Sequence, residues 1–278
     1  MISNENGSQT NCDEETFLSS YSMDDYDRPS VTTDIVAFKI RSVTGDTYRH
    51  NSKSTLSILL VRRGEHPYKD MWALPGGFLR KDETVEECAY REIKEEATVE
   101  PISLMPVGIF SNPSRDPRGR IISNAYLSVI CEDVVPKGGT DAIDARWFDV
   151  LFCEDSGICA MTLTSDDVVL KAKLKKVKTI FKKTNFEIIE GEDLAFDHAG
   201  IIGTAITLLR DSAKDYDLIF DFLPKTFTLT ALQDVIETIT EVSLTPANFR
   251  RKISEFVQET DEYVTGAGHR PAKLFKRK

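Results

Sequence analysis

The hydrophobic pattern of the chain changes near Asp193. Before this residue, β-branched runs such as those at 30–40 and 54–63 are separated by turn residues, a pattern typical of strands. After it, apolar residues recur every three to four positions, as they do on one face of a helix. The 278 residues are enough for two modest domains. The sequence therefore predicts an α+β protein in which a strand-rich domain precedes a smaller helical one.

One segment inside the strand-rich part has a helical pattern. It covers 84–97 and places its apolar residues on one stripe among many charges. Further strands are predicted at 105–110, 121–131, 145–149, 159–164 and 168–180, helices at 196–212, at 228–240 and from Thr245-Pro246 onward, and a hairpin around 265–268. Residues 1–28 are polar and acidic, which predicts a mostly flexible leader.

The charge of the chain is unevenly distributed. Its formal net charge is −10, which argues against a protein that coats nucleic acid through lysine and arginine. Residues 244–278 nevertheless contain eight basic and four acidic side chains, a local charge of +4. A basic C-terminal segment attached to an acidic domain therefore needs its own explanation.

The sequence disfavours a membrane-spanning, secreted, disulfide-bonded or zinc-binding protein. The longest apolar runs have the length of a strand, well short of a membrane span. The first residues lack the basic start and apolar stretch of a secretory signal, so we expect a cytoplasmic protein. The five cysteines are odd in number and include no CxxC pair, which predicts neither a disulfide framework nor a zinc site.

Three carboxylates crowd one turn of the helix predicted at 84–97. Glu92 and Glu96 are four residues apart, and Glu95 lies three from Glu92. Like charges at this spacing repel unless a cation lies among them, and Mg²⁺ or Mn²⁺ takes oxygen ligands of this kind. Gly77 lets the backbone before the helix approach the same ion or a phosphate. The alternative is a solvated acidic helix face.

The segment around this cluster resembles the Nudix box, Gly-x5-Glu-x7-Arg-Glu-apolar-x-Glu-Glu-x-Gly-apolar. The matching residues are Gly77, Glu83, Arg91, Glu92, Ile93, Glu95, Glu96 and Val99, and Thr98 replaces the last glycine. The resemblance implies an α/β/α sandwich with a mixed sheet. It also implies that Glu92, Glu95 and Glu96, together with Gly77, hold Mg²⁺ or Mn²⁺, and that Arg91 and Glu83 orient the glutamates.

The implied reaction is metal-assisted hydrolysis of a diphosphate. A carboxylate outside the box would take the proton of the attacking water. The candidates for this general base are Glu132, Asp133, Asp141 and Asp144, and the sequence does not choose among them.

Three arginines fall in a Pro- and Gly-rich loop at 111–120. They are either ordinary surface residues or phosphate ligands, for which arginine is well suited. The stretch resembles the RDPRG loop of Nudix proteins that act on ADP-ribose and related sugar nucleotides. The resemblance implies that Arg115 and Arg118 bind substrate, and that ADP-ribose is cleaved to AMP and ribose 5-phosphate. Trp72 either packs in the core, which is the default, or stacks on a base.

The C-terminal part resembles the winged-helix domain of NrtR-type proteins, the Nudix-related transcriptional regulators of NAD metabolism. The matching stretches are 227–233, 248–252 and 268–275. In a helix-turn-helix the second helix enters the major groove. The resemblance implies that duplex DNA is contacted by Asn248, Arg250, Arg251 and Lys252 of that helix and by Arg270 of the wing. The alternative is a domain that only dimerises or packs on its neighbour.

These observations predict four segments and two functions. The segments are a leader at 1–28, a Nudix domain at 29–192, a linker helix at 193–220 and a winged-helix domain at 221–278. The first function is hydrolysis of ADP-ribose or a related nucleotide sugar. The second is transcriptional regulation with the Nudix domain as ADP-ribose sensor. The complete carboxylate cluster favours the enzyme, because a pure sensor has no need for it. We expect a homodimer in either case, since operator symmetry mirrors protein symmetry.

Overall fold

The computed structural model of the protein describes residues 8–22, 26–43, 53–99, 101, 103–131, 135–138, 142–177, 184–213, 216–264 and 271–278. The helices in these residues are α1 (Ser8–Ser20), α2 (Val85–Ala97), α3 (His198–Ser212), α4 (Asp217–Phe220), α5 (Leu229–Thr240) and α6 (Pro246–Ile253). The strands are β1 (Ser30–Val43), β2 (Lys53–Arg63), β3 (Trp72–Ala73), β4 (Gly76–Phe78), β5 (Ser103–Phe110), β6 (Ile121–Val129), β7 (Ala142–Asp155), β8 (Ile158–Ser165), β9 (Val168–Val177), β10 (Asn185–Glu190), β11 (Val257–Val264) and β12 (Ala272–Arg277).

One large mixed sheet organises the first part of the chain. Its strand order is β10-β9-β8-β7-β2-β1-β6-β5, with β3 added to β2 and β4 added to β1. The central pair β1 and β6 is parallel, and the other named pairs are antiparallel. The predicted α+β class with a mixed sheet is confirmed.

Helices cover both faces of this sheet because its central strands are apolar on both sides. On one face, Ile35 and Leu59 belong to a buried cluster with Ala89 and Ile93 of α2. On the other face, the buried cluster includes Ile58 and Leu60 of β2 and Ile201, Ile202 and Ala205 of α3. The arrangement is the α/β/α sandwich that the sequence implied.

The C-terminal helices share the core of the α3 side. Leu232, Val235, Ile236 and Ile239 of α5 are buried in the same cluster as the sheet residues. Strands β11 and β12 form a separate antiparallel pair, and Phe227 exchanges two backbone hydrogen bonds with Phe275 of β12 at 2.9 and 2.8 Å. Helices α5 and α6 with this hairpin make a winged helix-turn-helix. The predicted hairpin tip at 265–268 lies outside the described residues.

Several elements differ from the sequence predictions. Helix α1 lies in the leader that we expected to be mostly flexible; its described side chains are exposed, so no apolar stripe marked it in the sequence. Strand β7 extends well beyond 145–149, and β10 and α4 were not predicted because six and four residues are too short to show a clear period.

Trp72 is confirmed as a core residue, with 6% of its surface exposed. In the part of the chain described, no helix is long and apolar enough to cross a membrane.

Candidate functional site

Helix α2 is fixed at both ends by its own sequence. Thr84 accepts a hydrogen bond from the backbone N–H of Glu87 at 3.2 Å, and the Glu87 carboxylate accepts one from the backbone of Thr84 at 2.7 Å. This reciprocal capping box satisfies two amides that the first turn leaves unpaired. At the other end Thr98 adopts the left-handed conformation, with φ 56°, and its N–H donates to the carbonyl of Lys94. Thr98 therefore makes the turn for which the Nudix pattern uses glycine.

Arg91 is the centre of the ion pairs around this helix. It donates to Glu83 at 2.6 and 2.9 Å, to Glu92 at 2.5 Å and to Glu95 at 3.2 Å, and also to the carbonyl of Phe78 at 3.2 Å. The hydrogen bond from Arg91 holds the pKa of Glu83 at about 2, well below its usual 4.5. Arg91 and Glu83 thus fasten the loop after β4 to α2, in the orienting position that the sequence implied.

The three glutamates of the cluster divide into two groups. Glu92 and Glu96 line a cavity of about 270 Å³ beside Gly76 and Gly77. Glu95 does not line it, because its carboxylate pairs with Arg91 and, at 3.3 Å, with Arg80. Burial raises the pKa of Glu92.

The two glycines are required by close packing against these carboxylates and the sheet. A Cβ on Gly77 would lie 2.3 Å from a carboxylate oxygen of Glu92, and one on Gly76 would lie 2.1 Å from the carbonyl oxygen of Thr33. The N–H of Gly76 donates to Glu96 at 3.0 Å.

The donor set fits a hard divalent cation whose coordination shell is completed by the substrate. Among the described residues, no three acidic, histidine or cysteine side chains converge into a metal-binding cluster. Mg²⁺, however, is commonly held by one or two protein carboxylates together with waters and substrate phosphates. Glu92 and Glu96 supply two carboxylates to one cavity, beside Gly76 and Gly77 of the glycine loop.

Arg115 of the 111–120 loop lines the cavity and belongs to a buried ion network. Its guanidinium donates to Asp197 at 3.0 and 2.8 Å and to Asp34 at 3.0 Å, and only 4% of its side chain is exposed. Burial alone would raise the pKa of Asp34, but His198 and Arg115 hold it at about 2. The position predicted to bind substrate directly is therefore already occupied by two carboxylates of the protein.

His198, the first residue of α3, belongs to the same network. Its Nδ1 accepts a hydrogen bond from the backbone N–H of Leu74 at 2.9 Å, so the ring proton lies on Nε2, which is 3.4 Å from Asp34. This arrangement joins β1, the strand end before the box and the start of α3. It also fixes the orientation of a ring that lines the cavity.

Arg118 lies at the mouth of the cavity. Its guanidinium pairs with Asp116 through contacts of 3.0 and 2.7 Å, and 41% of its side chain is exposed. The same group lies 5.0 Å from the ring centre of Phe78 and 5.6 Å from that of Phe196. Of the two arginines predicted to bind substrate, Arg118 is the one with an accessible cation.

Helix α6 presents a basic outer face. Phe249 and Ile253 are buried, whereas Asn248, Arg250, Arg251 and Lys252 are exposed. Within the described chain, none of these three cations pairs with a carboxylate, so their charge is available to a partner. Arg270, predicted to act from the wing, lies outside the described residues.

Known protein families match the two parts of the chain separately. The NUDIX domain family model matches residues 43–151, and the NrtR DNA-binding winged helix domain model matches residues 219–276. The chain joins a Nudix domain to an NrtR-type winged-helix domain.

Three relatives place the two domains in context. The ADPR responsive transcriptional repressor NtrR of Acinetobacter baylyi is 29% identical over 267 residues, which cover 95% of this chain and 88% of the repressor. The ADP-ribose pyrophosphatase of Methanocaldococcus jannaschii is 47% identical over 94 residues, 34% of this chain and 54% of that enzyme. A crystal structure of a MutT/nudix family protein from Enterococcus faecalis superposes with a TM-score of 0.71 at 28% identity, covering 96% of this chain and 93% of that one.

The structure tests one of the four candidates for the general base of the Nudix domain. Asp144 pairs with Arg146 at 2.7 Å and does not line the cavity, while Glu132, Asp133 and Asp141 lie outside the described residues. Glu65, Asp34 and Asp116 line the cavity and were not considered from sequence.

Proposed function

We propose that the Nudix domain hydrolyses ADP-ribose, or a closely related nucleoside diphosphate sugar, to AMP and ribose 5-phosphate with Mg²⁺ or Mn²⁺. The observation that carries this proposal is that Glu92 and Glu96 of the Nudix box line the same cavity as Arg118 of the RDPRG loop. Carboxylates for a metal and a cation for a phosphate therefore meet in one concave site.

Each box residue has a defined task in this proposal. Glu92 and Glu96 would hold the metal, which when bound would supply charge neutralisation for the diphosphate and an activated water. Arg91 and Glu83 keep the two glutamates and the Gly77 loop in register, and Glu95 supports this arrangement through Arg91. Arg118 contacts a phosphate oxygen, and Arg115 holds the loop in position through Asp34 and Asp197.

Support for ADP-ribose as substrate comes from the 47% identity with an ADP-ribose pyrophosphatase over 94 residues. The test is AMP release from ADP-ribose by purified protein with Mg²⁺ or Mn²⁺. Glu96→Gln should abolish it, while Glu86→Gln on the same helix should not, because Glu86 bonds Tyr126 instead of lining the cavity. If no member of a nucleotide-sugar panel is turned over, the enzyme proposal is wrong.

A second candidate function is regulation of transcription. It is favoured by the unpaired cations of α6, by the winged-helix family match and by an ADPR-responsive repressor that is similar over 95% of the chain. We propose that the winged helix binds a palindromic operator of NAD-metabolism genes as a homodimer, and that ADP-ribose shifts this equilibrium. Hydrolysis and regulation are compatible in one molecule.

Operator binding would be tested by enrichment of genomic fragments on purified protein. We expect selected fragments to bind in a salt-sensitive way, Arg250→Ala to weaken binding, and ADP-ribose to alter it. Sedimentation should give the mass of a dimer. Enrichment no greater than background would contradict the regulatory role.

A further inference from the structure

Residues 1–27, the N-terminal arm, carry charge of one sign. They include seven acidic residues and no lysine or arginine, which gives a local charge of −7. Three of these acids, Asp13, Glu14 and Glu15, lie on α1 with exposed side chains. None of the three pairs with a cation of the described chain. The arm thus offers carboxylates that its own fold leaves without partners.

The arm also exposes apolar side chains. Phe17, Leu18 and Tyr21 are 60%, 61% and 46% exposed, and Tyr26 beyond α1 is 62% exposed. The ring centres of Phe17 and Tyr21 lie 5.5 Å apart. Single apolar residues are ordinary on a surface, whereas a group of them beside charges marks a contact surface. Asp13 and Phe17 are four residues apart on the helix, so one partner surface can meet both kinds of side chain.

The outer face of α6 offers the complementary charge. Arg250, Arg251 and Lys252 are exposed, and in the part of the chain described none of them pairs with a carboxylate. A groove of about 560 Å³ lies beside Arg250, between α5, α6 and the β11–β12 pair. Its one carboxylate, Glu259, is already paired with Lys273. The apolar residues that line the groove are Leu229, Ile253, Val257, Ala272 and Phe275. Cations and an apolar wall therefore lie side by side.

We infer that the N-terminal arm of a second copy docks on this surface, with its acids against Arg250, Arg251 and Lys252 and with Phe17 in the groove. Opposite charges meet there, and an exposed ring is removed from water. The arm covers the cations that the proposed function assigns to DNA, so it competes with DNA for α6. This competition rests on the proposed operator binding, whereas the docking does not.

The register of the sheet identifies the second copy as the source of the arm. Helix α5 lies beside residues 54–56 of β2, and Leu56 is opposite Ile40 of β1. Ile40 is ten residues, about 33 Å, along β1 from Ser30, where the strand begins. The chain from Ser20 to Ser30 spans about 33–36 Å when fully extended. That length is used up in reaching α5, before α6 is met.

Assembly makes a weak contact sufficient. Individual ion pairs at a surface are weak and screened by salt. Within a dimer, however, the arm meets its target at an effective concentration on the order of millimolar. A dissociation constant about fourfold below this concentration would leave the α6 surface covered most of the time and weaken DNA binding about fivefold.

Carbodiimide coupling tests the contact, because it joins a carboxylate to an amine without a spacer. We expect full-length protein, mixed from isotopically light and heavy samples, to give peptides in which Lys252 of one sample is joined to an acid of α1 from the other. Lys252→Arg keeps the charge and should remove the link. The ion pair of Lys173 with Glu190, at 2.8 Å, is the internal control. Coupling of this pair with no product between the arm and α6, or with such products only within one chain, would overturn the inference.

DNA binding gives a second readout. The variant in which the three acids of α1 become amides should bind duplex DNA about fivefold more tightly than the wild type at low salt, as measured by fluorescence anisotropy. The matched control, Asp155→Asn with Asp166→Asn and Asp167→Asn, removes three exposed charges from the β7–β8 and β8–β9 hairpins and should change the affinity less than about twofold. An equal gain in both variants would show long-range repulsion in place of docking. If no variant binds duplex DNA, the proposed regulatory function is wrong, and the coupling result decides the docking.

Discussion

Arg115 forms a two-point ion pair with Asp197, in which Nε lies 3.0 Å from one carboxylate oxygen and Nη2 lies 2.8 Å from the other. The pair fastens the RDPRG loop to the start of α3, the helix that leads to the winged-helix domain. With Asp34 as its second partner, the guanidinium has a positioning role in the site.

Removing this guanidinium should cost far more stability than removing its exposed neighbour. Arg115→Met leaves Asp34 and Asp197 without their cation and should lower the free energy of unfolding by about 3–5 kcal/mol. Arg118→Met removes a half-exposed cation from the buried Asp116, which keeps its hydrogen bond from the backbone N–H of residue 118, and should cost only about 1–2 kcal/mol. Urea denaturation measures both. Equal losses would show that Arg115 is not a buried structural cation.

The pKa of Asp34 predicts an acid dependence with a definite sign. Its folded pKa is about 2 against an ordinary 3.8, so its contribution to stability is complete above about pH 4 and is lost as the pH falls towards 2. Over that interval the wild type should lose about 2 kcal/mol more than Asp34→Asn. Glu83 titrates in the same range in both proteins and cancels in the comparison. Parallel pH profiles would contradict this assignment.

Thr98 should be replaceable by the glycine of the Nudix pattern with a gain in stability. A β-branched residue in the left-handed region is strained, and its side chain is exposed, so little packing is lost. We expect Thr98→Gly to raise the free energy of unfolding by about 1 kcal/mol. Thermal unfolding measures this change. A destabilised variant would mean that the threonine side chain makes contacts that outweigh the strain.

Arg210 of α3 connects the Nudix sheet with the winged-helix domain. Its guanidinium donates two hydrogen bonds of 3.2 Å to the carbonyl of Phe152 and pairs with Glu241, just after α5, at 2.6 Å. Arg210→Ala should speed amide exchange at the C-terminal end of α5 by about tenfold. Lys173→Ala, which breaks an ion pair on β9, should leave α5 unchanged. Unaltered exchange in Arg210→Ala would show that the contact does not hold the domains together.

Much of the fold could be predicted because long elements carry a clear period. The helix at 84–97 and the change of pattern near Asp193 both correspond to observed elements. Helix α1 could not be predicted because its described side chains are exposed and show no apolar stripe, and α4 and β10 could not because they are too short to show a period. The box residues were found through spacing, because a helix brings residues three and four apart to one face.

The rest of the site depends on distant parts of the chain. The burial of Arg115 requires Asp34 on β1 and Asp197 before α3, which are 81 and 82 residues away in sequence. Glu95 follows the spacing rule, yet its carboxylate pairs with Arg80 and Arg91 and does not line the cavity. Phe78 and Phe196 meet Arg118 only after the sheet forms. No short sequence pattern marks such encounters.

The central claim is that Glu92 and Glu96 make the cavity a metal-dependent site for a diphosphate bond. It is tested most directly by following AMP and ribose 5-phosphate release from ADP-ribose in Mg²⁺ or Mn²⁺, with wild type, Glu92→Gln, Glu96→Gln and Glu86→Gln compared. We predict turnover by the wild type and Glu86→Gln, its loss on chelation, and a fall of at least about a hundredfold in the other two variants. Wild-type protein that binds ADP-ribose but releases no AMP would contradict the claim.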